Sequence, residues 1–184
     1  MDNNITELDV FYSLLRTDFK SFVIKVFNEI SGGGGYIDGE YIDLICDCIV
    51  NVISGNQKRL IINIPPRYMK SIICSVALPA YLLGKNPHEQ IVCVSYSDDL
   101  SSQLANQFKM VVESQWYKDL FPGTQLKTRG LDMLRTSKGA YRFATSICGP
   151  LTGSRLTGIT HLLENGTVLL PNQQDGEMRD FFDE

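Results

Sequence analysis

The stretch Arg59-Leu60-Ile61-Ile62-Asn63-Ile64-Pro65-Pro66-Arg67-Tyr68-Met69-Lys70-Ser71 decides how the chain is read. Leu60 to Ile64 is an apolar run rich in β-branched residues, the pattern of a buried strand. A turn ending in Lys70-Ser71 comes next, then a long apolar segment from Ile72 to Leu83. Strand, turn, Lys-Ser, helix is the layout of a phosphate-binding loop. A turn that leads into a helix points free backbone N–H groups at one spot, and the helix dipole favours an anion there. The Lys70 ammonium adds a full positive charge for outer phosphates. The Ser71 hydroxyl can hold Mg²⁺, which prefers oxygen ligands. The usual pattern has glycine where Ile64 and Met69 stand, and glycine there eases unusual φ angles and close phosphate approach. The alternative is a surface turn between strand and helix. Pro65-Pro66 stiffens the start of the turn, and Arg67 brings it a second cation.

Working outward, a helix from about Lys70 to Leu83 is apolar nearly all round and should be buried. Pro79 should kink it and Gly84 end it. Ile91 to Tyr96 is a second apolar run. Strand, helix, strand in so short a span predicts a βαβ crossover with both strands parallel in one sheet. Upstream, Asp9 to Ile30 keeps a helical spacing through Phe11, Leu14, Leu15, Phe19, Phe22, Val23, Val26, Phe27 and Ile30. Ser31 and Gly32 to Gly35 then form a connector, with no strand before them and no Lys-Ser after. A helix from about Gly39 to Ser54 follows, with Asp38 as N-cap, Gly55 as the C′ residue, and Ile42, Ile45, Ile49 and Val52 on one face. Downstream, Ser97 or Asp98 caps a helix to Glu113 with a stripe of Leu100, Leu104, Phe108 and Val111 or Val112. Trp116, Tyr117, Leu120 and Phe121 either pack as core or stack bases. Lys127, Arg129, Arg135 and Lys138 make a basic patch, either a phosphate-backbone contact or a solvated hairpin. Tyr141 to Ile147 should pair with Leu131 to Thr136 through Ser137-Lys138-Gly139.

Hydrophobic residues make up 43% and charged residues 21% of the 184. That composition is ordinary for a globular chain. The net charge of −4 gives no global pull on nucleic acid, so any such contact must be local. Cys46, Cys48, Cys74, Cys93 and Cys148 show no Cys-x-x-Cys and read as reduced core residues of a cytosolic protein. With only His88 and His161 available, a zinc site is not expected. The N-terminus does not read as a signal peptide, and no apolar run approaches the ~20 residues of a membrane helix.

Ile64-Pro65-Pro66-Arg67-Tyr68-Met69-Lys70-Ser71 resembles the deviant Walker A segment of phage terminase large subunits, the DNA-packaging motors. The resemblance continues through Leu82-Leu83-Gly84-Lys85-Asn86-Pro87, Val94-Ser95-Tyr96-Ser97, Leu120-Phe121-Pro122 and Gly149-Pro150-Leu151-Thr152-Gly153. It covers roughly residues 8 to 153 and is most specific around Lys70. It implies an α/β fold, a P-loop NTPase-like parallel sheet flanked by helices, here incomplete. It implies ATP and Mg²⁺ bound at Pro65, Pro66, Arg67, Tyr68, Met69, Lys70 and Ser71, with Arg67 and Lys70 catalytic and Ser71 on the metal. It also implies phage DNA, a portal protein and a small terminase subunit as partners, no membrane, and the cytoplasm of a bacterial host cell. In that family the segment before the loop helps to seat the adenine base.

Such an ATPase needs a further strand ending in acid, to hold Mg²⁺ and polarise the attacking water. After Gly153 comes Ser154-Arg155-Leu156-Thr157-Gly158, with no apolar run ending in paired acids. The nearest candidates are Leu162-Leu163-Glu164 and Phe181-Phe182-Asp183-Glu184. The segment from Arg155 through Leu163-Glu164-Asn165-Gly166-Thr167-Val168-Leu169-Leu170-Pro171, with Asp180 to Glu184, resembles the last part of the terminase nuclease domain. The expected organisation is therefore N-terminal helices over 1–56, a P-loop ATPase-like core over 57–153, and a nuclease-like tail over 154–184. On this reading the chain is truncated or internally deleted near Ser154, with impaired hydrolysis. The alternative is a non-catalytic prophage remnant or interaction module.

Overall fold

Ile72 to Leu83 carries no charged side chain, so a helix there has no face that prefers water. The structure, a computed structural model, describes residues 6–57, 59–130, 132–146, 161–163 and 167–169. In chain order these form α1 (Glu7–Thr17), α2 (Phe19–Ser31), α3 (Glu40–Ile53), β1 (Arg59–Ile61), α4 (Lys70–Ile72), a π-helical turn (Ile73–Ala77) and α5 (Leu78–Lys85). Then come β2 (Gln90–Ser95), α6 (Asp98–Glu113), α7 (Gln115–Leu120), β3 (Leu126–Arg129), β4 (Met133–Thr136), β5 (Tyr141–Ser146), β6 (His161–Leu163) and β7 (Thr167–Leu169). The apolar stretch is buried as its composition demands. Ile73, Val76, Ala77, Leu78 and Ala80 are sealed from solvent, and α2, α5 and α6 close around the π turn.

Pro79 has no N–H to offer the Ser75 carbonyl four residues earlier. Where the sequence predicts a kink, the backbone instead widens into the π turn directly before the proline, and the Leu78 N–H reaches back to Ile73. Gly84 does not end the helix. α5 runs through it to Lys85 and is capped at Asn86. The glycine is needed for space, because a Cβ there would stand 2.3 Å from Cδ2 of Phe121.

The long helix expected from Asp9 to Ile30 is two helices. Asp18 turns extended between them, and its carboxylate accepts the Ser21 N–H as the N-cap of α2. The second half is the buried one: Phe19, Phe22, Val23 and Val26 are in the core, whereas Phe11 and Leu14 of α1 are exposed. The N-cap of α3 is Gly39 rather than Asp38. Asp38 is engaged elsewhere, accepting from Lys20 and from the Tyr36 hydroxyl. The Ile42, Ile45, Ile49 and Val52 face is buried as expected.

The strands form one sheet in the order β1-β7-β6-β2-β5-β4-β3. The sheet is mixed, which corrects the expectation of a parallel one. β2 is parallel to both β5 and β6, while β3/β4, β4/β5, β6/β7 and β1/β7 are antiparallel. The reason is chain length: the links within β3-β4-β5 and between β6 and β7 are too short for a crossover, so only hairpin pairing is open to them. β1 and β2 do share a sheet and a direction, but two strands lie between them. The C-terminal ends of β1, β2, β5 and β6 therefore emerge at one edge, the edge where open α/β sheets take ligands.

Cys46, Cys74 and Cys93 are buried free thiols and Cys48 is half-buried; Cys148 lies outside the described residues. Burial pushes the Cys46 and Cys74 thiols up to about 12. Both should therefore resist iodoacetamide at pH 8 in the native protein and react fully in urea, as peptide mass mapping would record. Gly84→Ala should destabilise the fold by ~1–3 kcal/mol through overpacking against Phe121, read as a lowered urea midpoint with an unchanged slope.

Candidate functional site

β1 ends at Ile61, and the chain leaves the sheet through Ile62, which is buried. Ile64 and Met69, the two residues at glycine positions, both pack their side chains against the core. Between them Pro65, Pro66, Arg67 and Tyr68 are exposed. The loop is thus a short exposed bridge pinned at both feet by apolar contacts. At Met69 its backbone takes the conformation a glycine would ease, whereas Ile64, at the other glycine position, has no positive φ. Arg67 has φ 70° and Met69 has φ 59°, both in the left-handed region. That region costs an ordinary residue about 1–2 kcal/mol, and only surrounding structure that over-determines it keeps it occupied. Met69 lies immediately before Lys70, at the N-cap of α4, and its carbonyl accepts the Ile73 N–H at 2.9 Å.

Tyr68 stands edge-to-face on Tyr41 of α3, with ring centroids 5.2 Å apart, so the loop is braced against the preceding helix. Lys70 and Ser71 are half-buried in the first turn. The Lys70 ammonium is close enough to pull against the burial-raised thiol of Cys74, one turn on. The ion pairs of Lys20 with Asp38 and Asp43, and of Lys25 with Glu29, do not involve Arg67 or Lys70. The structure therefore brings Arg67, Tyr68, Met69, Lys70 and Ser71 together on one bend at the sheet edge where β1 ends.

The candidate acids divide differently. Leu162 and Leu163 are in β6, parallel to β2, with Cys93 opposite Leu162 and Val94 opposite Leu163. Glu164, Asp183, Glu184 and the Gly149 to Gly153 stretch lie outside the described residues. Among the described residues no three His, Cys, Asp or Glu side chains gather as a metal site. The donors that fit Mg²⁺ at the loop are the Ser71 hydroxyl and the oxygens of a bound phosphate.

The other expected features resolve as structure. Gly32 is the left-handed C-cap of α2. Tyr117, Leu120 and Phe121 are core, and Trp116 donates its indole N–H to Glu29 at 2.9 Å. Lys127, Arg135 and Lys138 are exposed on the β3–β4 ribbon and the turn after it, with Arg135 set over the Tyr141 ring. A cavity of about 340 Å³ between α6, α7 and β3, lined in part by Glu113, Lys118 and Phe121, contains none of the loop residues. Arg142 is 1% exposed on β5, and nothing in the residues around it marks that burial. An arginine in a strand ordinarily reads as a solvent-facing position. No helix among the described residues is long and apolar enough to cross a membrane.

No protein-family model matches the chain, and neither the curated proteins nor the solved structures hold a significant match to it.

Proposed function

We propose that this chain is a terminase large subunit-like ATPase part that binds Mg-ATP at residues 65–71. The observation that carries this reading is the left-handed backbone at Met69, directly ahead of Lys70-Ser71 at a helix start behind a strand. Strain of this kind is retained where a site needs it. Lys70 would hold the outer phosphates, the backbone N–H groups of the bend their oxygens, and Ser71 the metal. Mg²⁺, when bound, neutralises phosphate charge and orients the terminal phosphoryl group. Arg67 is the exposed cation best placed to meet charge that develops on that group. The finer fold assignment, a P-loop NTPase-like sheet, belongs to the same proposal. It is supported by β1 and β2 running in one direction around an intervening buried helix.

In the packaging role, phage DNA would be driven into a procapsid, with a portal protein and a small terminase subunit as partners. The exposed Lys127, Arg135 and Lys138 are the residues suited to a phosphate backbone. The sequence offers no apolar run ending in paired acids after Gly153, so hydrolysis should be slow, since one missing electrostatic stabiliser costs ~10²–10³ in rate.

A second reading, a non-catalytic prophage remnant or interaction module, draws support from α1. Leu8, Phe11 and Leu14 are exposed there at 56%, 42% and 47%. Ligand-linked stability separates the two readings. Mg-ATP at 100 times its Kd should stabilise the wild-type chain by ~2.7 kcal/mol, and Lys70→Ala should abolish that gain in a thermal-shift titration. A chain indifferent to Mg-ATP belongs to the second reading. Met69→Gly removes the left-handed strain but also the core contact of the side chain, so stability should stay within ~1 kcal/mol of wild type while the looser bend binds Mg-ATP more weakly. Unchanged Mg-ATP binding in that variant, measured by calorimetry, would separate the strain from the site.

A further inference from the structure

Arg142 is the largest fully buried side chain described. It leaves β5 opposite Ile91 of β2. Its Nη2 donates to the Ser75 carbonyl at 3.3 Å, within the π turn just ahead of Pro79. Its guanidinium carbon sits 4.8 Å from the centre of the Phe108 ring. Nε and Nη1 have no hydrogen-bond partner among the described residues, and no carboxylate there pairs with the group. Arginine cannot shed its proton in a protein, so a whole positive charge stands in the apolar interior with no counter-anion described. Burial raises the Cys93 thiol on the neighbouring strand, and Arg142 pulls against that rise through its charge and a side-chain hydrogen bond.

The contacted carbonyl belongs to Ser75, five residues beyond Lys70 on the same helical run, which is ~7 Å along the axis. We infer that Arg142 is a positioning residue that backs the loop, holding the π turn through Ser75 while its buried charge, which no described carboxylate neutralises, favours a polyphosphate at Lys70-Ser71. This rests on the loop being an anion site. Buried charges are screened far less than exposed ones. At an effective dielectric of ~20, a unit charge some 10 Å from an anion is worth about tenfold in affinity.

Calorimetric titration of the full chain with Mg-ATP and, separately, inorganic triphosphate tests this. Arg142→Met should weaken both ligands about tenfold, and Arg142→Lys should keep both within about threefold of wild type. The lysine keeps the charge but loses the guanidinium's shape, so a purely architectural role predicts equal losses in the two variants. Equal losses, or none in Arg142→Met, overturn the proposal. A wild-type chain that binds neither ligand overturns it together with the loop reading, whereas a binding wild type with an unaffected Arg142→Met overturns the role of Arg142 alone. Should Arg142→Met not fold, Arg142→Gln replaces it, because its amide keeps a donor for the Ser75 carbonyl while removing the charge. It is judged by the same tenfold loss or its absence.

Discussion

A helix with no polar face must be covered on every side, and the rest of the structure follows from that demand at residues 70–85. Phe19 and Phe22 of α2 supply rings on one flank, both within 5.2 Å of the Tyr81 ring. Tyr117 and Phe121 close another. Covering a helix also means answering its backbone. The Tyr117 hydroxyl donates to the Ala80 carbonyl at 2.7 Å and the Thr124 hydroxyl to the Leu83 carbonyl at 3.1 Å. Arg142 answers Ser75. These side chains pack with their apolar bodies and spend their polar tips on acceptors that a buried helix cannot expose to water.

The same demand explains how the exposed bend at 65–71 can tolerate two left-handed non-glycine residues. Ile64 and Met69 are tied to the core by their side chains, and burial of a large apolar side chain is worth ~1.5–3 kcal/mol. That is comparable to the cost of the left-handed conformation. Glycine would make the bend easy but loose. Methionine makes it costly but fixed, and a fixed bend loses less freedom when a ligand arrives.

Much of this was legible in the residues. Apolar stripes marked α3 and α6 because only one face of each is buried, and period is visible in a one-dimensional string. The buried helix was legible because it has no charged residues at all between Ile72 and Leu83. The break at Asp18 was signalled by an Asp three residues ahead of Ser21, but the apolar spacing runs across it and masks it. Gly84 looks like a helix stop because the ring of Phe121, 37 positions away, is invisible in the local sequence. The short reach of β1 and its distance from β2 depend on which hairpins fill the sheet between them. At the site, spacing pointed to Lys70 and Ser71. The left-handed Met69 and the interior Arg142 were hidden, because strain and burial are properties of the packed chain.

β1 pairs with β7 alone among the described strands, and their partners Leu60 and Val168 are more than a hundred positions apart in the chain. Pairing at that separation forms late, because the loop it closes must give up its freedom first. During synthesis the loop-bearing strand would leave the ribosome long before its neighbour exists. The helices would gather first, and the bend would acquire its shape only once the far hairpin had been made.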